Sequence, residues 1–125
     1  MRIARATVGI LAGTMMIASG LLHSILGWNE LRKVFSQTPV PSALVDGLAV
    51  PWHFAGMAMI AFGAIAVWSF VTLLRAGQAP MGATRIVATV YVVFGGIGLV
   101  AIAADPTFLL FIVPGVMLMG ATLAQ

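Results

Sequence analysis

The chain has 125 residues, enough for one domain spanning 1–125, and 62% are hydrophobic while only 7% are charged, a balance far from that of water-soluble domains. A mean hydropathy of +1.13 identifies the class as an all-α integral membrane protein. The net charge of +3 comes from six basic residues placed singly or in pairs, which form no face for phosphates and exclude nucleic acid; with no cysteine, disulfides, thiolate metal sites and covalently attached haem are excluded too.

Four segments are apolar over nearly the 20 residues or so that a membrane-crossing helix needs: 6–28, 51–74, 86–104 and 107–123. The opening "MRIARATVGILAGTMMIASGLL" has the basic-then-apolar order of a secretory leader, but the apolar run continues to Trp28 without a cleavage site, so it reads as an uncleaved span. Along it Gly9, Gly13, Met16, Gly20, His23 and Gly27 alternate at spacings of four and three, which aligns them on one stripe. Helices in lipid gain nothing from hydrophobic attraction to each other and need small residues to approach closely, so this stripe is a packing face. The connection 29–50, "NELRKVFSQTPVPSALVDGLAV", is the only long loop expected; "LRKVF" suits a short interfacial helix, and the prolines of "TPVP" interrupt it.

The second segment opens at Pro51 in "VPWHFAG" and carries its own stripe of His53, Gly56, Ile60, Gly63 and Val67. "RAGQAPMGATR" reads as a turn. The third segment places Tyr91, Gly95, Gly98 and Ile102 on one face, with Tyr91 expected in the interfacial aromatic belt. In "ADPT" Asp105 is positioned to cap the fourth segment, whose interior Pro114 must bend or weaken the helix.

The expected architecture is an antiparallel four-helix transmembrane bundle with a short interfacial segment between helices one and two. Arg2, Arg5, Arg75 and Arg85 fall on one side, whereas Arg32 and Lys33 on the other are diluted by Glu30, Asp46 and Asp105. The side richer in arginine faces the cytoplasm, so both termini are expected there, in a multi-pass protein of a bacterial inner membrane. All six basic and all three acidic side chains lie outside the four spans, which disfavours proton-coupled exporters, ion pumps and voltage sensors.

This orientation gathers His23, His53, Trp28, Trp52 and Asp105 at the outer face, the candidate ligand-binding set; Gly13, Gly20, Gly56 and Gly63 are the candidate packing residues. No catalytic residue and no metal site is assigned. The two histidines are readable as interfacial polar residues that stabilise helix contact, as a polar site for a lipid or quinone, or as axial ligands of one b-type haem. His23, His53 and Asp105 also form the composition of a two-histidine, one-carboxylate metal set.

The stretches "RIARATVGILAGTMMIASGLLHSILGW" and "WHFAGMAMIAFGAIAV" resemble small four-span bacterial membrane proteins and are distantly similar to the DoxX-like group. In that group the first helix commonly ends in a glycine followed shortly by a lysine, where this chain has "GLLHS", and the second opens with a glutamate, where this chain has His53. The departures remove the polar positions from which a role would transfer. What the resemblance implies is a redox-associated membrane partner. The expected function is therefore a non-enzymatic accessory or scaffold protein holding a lipid or quinone near its outer face, in the company of membrane lipids and of a larger complex or further copies of itself. The alternatives are a bis-histidine haem b electron carrier and a minimal membrane enzyme acting on a lipid-soluble substrate.

Overall fold

A computed structural model describes residues 1–102 and 104–123; position 103, inside the expected third span, and the last two residues, including Gln125, lie outside the described residues. Among the described residues all regular structure is helical. The order is α1 (Arg2–Leu22), a π-helical turn (His23–Gly27), α2 (Trp28–Ser36), α3 (Ser42–Ala76), α4 (Gly82–Ala101), a 3₁₀ turn (Pro106–Phe108) and α5 (Leu109–Leu123). Among the described residues four stretches are long and apolar enough to cross a membrane: Arg2–Ser36, Ser42–Ala76, Gly82–Ala101 and Pro106–Leu123.

The long loop expected over 29–50 is mostly helix. The π turn carries α1 directly into α2, so the chain does not break after Trp28. The interruption is confined to "QTPVP": the Gln37 and Thr38 amides bond back to Val34 and Phe35, and Pro41 leaves the helical region at ψ 134°. α3 then starts at Ser42, nine residues before the expected opening at Pro51, which lies inside it. Proline removes one backbone donor and crowds the carbonyl of residue i−4. Here that residue is Gly47, beside which a side chain would meet nothing within 4 Å, so the backbone has room to accommodate the ring. Gly77 ends α3 in the left-handed region at φ 78°, a conformation that costs glycine little and other residues more.

The glycines set the distance between helices. A Cβ on Gly13 would stand 2.8 Å from the Gly63 carbonyl oxygen, one on Gly63 would stand 2.5 Å from the Gly13 oxygen, and one on Gly20 would stand 2.7 Å from the Gly56 oxygen. Gly9 lies under the Phe70 ring and Gly27 against Trp52. Numbers rise along α1 as they fall along α3, so these two run in opposite directions over their whole seam. α4 and α5 pair in the same sense: Tyr91 meets Gly115, Gly95 meets Ile112, and Gly98 lies under Phe108. α1 also packs on α5, while α3 and α4 share a sparser seam. That seam is pinned by a buried hydrogen bond of 3.0 Å from Thr84 Oγ1 to Ser69 Oγ.

Tyr91 is not an interfacial belt residue. It is 2% exposed, with its ring between Phe62 of α3 and Phe111 of α5. The stripe through Gly95 and Gly98 that faces α5 also carries Tyr91, and a residue on the packing face is buried whatever its polarity.

Candidate functional site

The π turn lies where α1 meets the early part of α3. Its five residues, "HSILG", take a wider turn than the α-helix, and such turns occur chiefly as single insertions in α-helices. At its start the His23 ring stacks on the Trp52 indole with centroids 4.2 Å apart and planes 11° from parallel. Two hydrogen bonds reinforce the stack. Trp52 Nε1 donates to the His23 carbonyl at 2.9 Å, and His23 Nε2 lies 3.2 Å from the Trp52 carbonyl oxygen. A carbonyl only accepts, so Nε2 carries the hydrogen, and Nδ1 is left as the acceptor of the neutral ring. The clasp joins α1 to α3 through both backbone and side chain at each residue.

Trp28, the residue that follows the π segment, continues the cluster. Its ring is 6.1 Å from Trp52 and 5.5 Å from His53, both tilted. His23, Trp52, Trp28 and His53 thus form a chain of four rings joined by three contacts, with the two tryptophans between the two imidazoles. Each of these four residues is half-buried.

A cavity of about 260 Å³ opens beside the clasp, lined by Leu22, His23, Gly27, Trp52, Met59, Thr107, Leu110 and Phe111. Its walls come from α1, the π turn, α3 and the start of the fourth apolar stretch. The lining is apolar apart from the imidazole and the Thr107 hydroxyl. Gly27 contributes by lacking a side chain, since a Cβ there would stand 3.1 Å from the indole.

Asp105 sits at the same end, in the connection before Pro106. Its Oδ1 accepts from the Thr107 amide at 2.8 Å, and that hydrogen bond holds the carboxyl below its ordinary range. It caps the 3₁₀ turn and thereby fixes the backbone at Thr107, a wall of the cavity, without itself lining it. Among the described residues no three histidine, aspartate or glutamate side chains gather as a metal set. The cavity has His23 but not His53 in its wall, and His23 Nε2 is engaged by the Trp52 carbonyl.

Of the sequence-derived set, His23, Trp52, Trp28 and His53 come together as a ring cluster and Asp105 stands next to the cavity. The structure adds Met59, Thr107, Leu110 and Phe111. No periodicity pointed to them, because they arrive from separate segments and each belongs to an ordinary apolar run. The chain matches no family model, no curated protein and no solved structure.

Proposed function

We propose that this chain is a small multi-pass protein of a bacterial inner membrane, an antiparallel transmembrane four-helix bundle that serves as a non-enzymatic accessory or scaffold subunit and holds a lipid or quinol beside the His23–Trp52 clasp. The observation that carries the reading is the cavity: apolar walls from three helical stretches around one imidazole whose free nitrogen is an acceptor. At about 260 Å³ it lies below the usual 300–1,000 Å³ of sites for whole drug-sized ligands, so it suits one head group and the first part of a tail. A head bearing a hydroxyl, as a quinol or a lipid glycerol does, matches the acceptor.

The proportions of the helices support the membrane setting. α3, with 35 residues, is about 52 Å long against a hydrocarbon core of about 30 Å, which leaves its early turns with Asp46 outside the lipid beside the short α2. Trp28 and Trp52 then lie at the depth where amphipathic rings are favoured. The DoxX-like resemblance adds the expectation of a redox-associated membrane partner.

The test uses the variant in which Trp28 and Trp68 are phenylalanine, leaving Trp52 as the reporter beside the cavity. Decylubiquinol is expected to quench it saturably, with Kd raised about tenfold in His23→Ala, the cost of one hydrogen bond. Leu110→Phe, which fills the cavity from a half-exposed position, should abolish saturation even if the histidine variant folds poorly. Quenching that rises linearly with quinol and is the same in all variants would reflect partition into detergent and end this reading.

A further inference from the structure

The polar side chains around the clasp cavity share a property that narrows what it can hold: each has already given its hydrogen to another part of the chain. Trp52 Nε1 donates to the His23 carbonyl at 2.9 Å, and His23 Nε2 donates to the Trp52 carbonyl at 3.2 Å. Thr107 is tied in the same way to Asp105. Its amide donates to Oδ1 at 2.8 Å, and its hydroxyl donates to the same carboxyl group, which is ionised near neutrality and only accepts. The other wall side chains, Leu22, Met59, Leu110 and Phe111, have no polar hydrogen. Among the described residues the wall is thus left with lone pairs, on His23 Nδ1 and Thr107 Oγ1, and with no side-chain donor to spare.

We infer that the cavity takes only a head group that donates a hydrogen bond, so that it holds the hydroquinone form of a quinone and rejects the oxidised form. Asp105 sets this preference from outside the wall, as a positioning residue that keeps the hydrogen of the Thr107 hydroxyl turned away from the ligand. The inference rests on the lipid-or-quinol reading above and sharpens it to one redox state.

An oxidised head has carbonyl oxygens and no donor. In this cavity those oxygens would face the lone pairs of the wall, and the water bonds they gave up on entry would not be replaced. A hydroquinone hydroxyl meets no such loss, because its hydrogen goes to Nδ1 or to Thr107 Oγ1. An untethered hydroxyl at position 107 would erase the distinction, since a hydroxyl rotates to donate or to accept as its partner requires. The carboxylate at position 105 is what removes that freedom.

The variant with Trp52 as its lone tryptophan provides the assay, titrated anaerobically with decylubiquinol and with decylubiquinone. The parent should bind the quinol about tenfold more tightly. Thr107→Val keeps the shape of the side chain and removes its oxygen, so it should weaken the quinol about fivefold and leave the quinone within about twofold. Asp105→Ala frees the hydroxyl to donate and should tighten the quinone about fivefold, bringing the two affinities together. A residue that only capped the turn would weaken both ligands alike and leave their ratio unchanged. Should Asp105→Ala fold poorly, the ratio in Thr107→Val decides alone. Equal Kd values for the two ligands in the parent, or a ratio that neither substitution moves, would overturn the selectivity and leave the cavity reading in place. Quenching linear in both ligands would end the two together.

Discussion

Tyr91 shows how a single side chain is governed by its helix face rather than by its own chemistry. Its hydroxyl is buried and has no hydrogen-bond partner, while its ring fills the space between Phe62 and Phe111. The ring is therefore stabilising and the oxygen is not. Tyr91→Phe keeps the packing and removes an unsatisfied polar atom, so it should stabilise the protein by about 1 kcal/mol. A lowered Tm would show that the hydroxyl has an acceptor in solution. His23 makes the complementary point. Its carbonyl and Nε2 are both met by a single residue, Trp52, and the sequence placed the two residue types near the same surface without indicating that they clasp each other.

Between elements, the α1–α3 seam rests on reciprocal contacts of glycine backbone: Gly13 with Gly63 and Gly20 with Gly56. At each of these glycines a side chain would meet the facing glycine carbonyl within 3 Å, main chain that cannot rotate aside as a flexible side chain does. Gly13→Leu or Gly20→Leu should thus separate the helices, at a cost beyond the roughly 1–3 kcal/mol of ordinary overpacking. Gly96→Leu provides the contrast, because a Cβ there meets nothing within 4 Å, whereas one on the adjacent Gly95 would meet Ile112 at 2.7 Å. Melting curves for leucine at Gly13, Gly20, Gly95 and Gly96 should leave Gly96→Leu near the parent and lower the other three; a uniform loss would point to helix propensity instead of packing. The seam was legible because a repeat of three and four residues marks a helix face directly. The π turn was not, since "HSILG" differs from its surroundings in no pattern of polarity.

For the molecule as a whole, the separation of charge between its two ends governs the orientation proposed for it. Arg2, Arg5, Arg75 and Arg85 stand at one end without an acidic neighbour in sequence, and the ring cluster, Asp46 and Asp105 stand at the other. The positive-inside rule predicts a cytoplasmic arginine end, and the four spans proposed would bring both termini there. A fluorescent reporter that matures only in the cytoplasm should light up when fused at either terminus, and a phosphatase that works only outside should stay inactive. The reverse pattern at both ends would invert the topology and move the proposed ligand cavity to the inner face.

The sequence alone determined the helical class and the four apolar stretches, since composition and run length act locally and need no knowledge of neighbours. It also marked the glycines as packing residues and Asp105 as a cap, because helix periodicity and capping depend on residues within one or two turns. Tertiary structure decided which faces meet. It placed Tyr91 in the interior, extended α3 upstream through Pro51, and drew Met59, Thr107, Leu110 and Phe111 from separate stretches into one wall beside His23. A cavity is a property of the space between helices, fixed by their spacing and the wide turn at His23–Gly27, and nothing along a single helix specifies it.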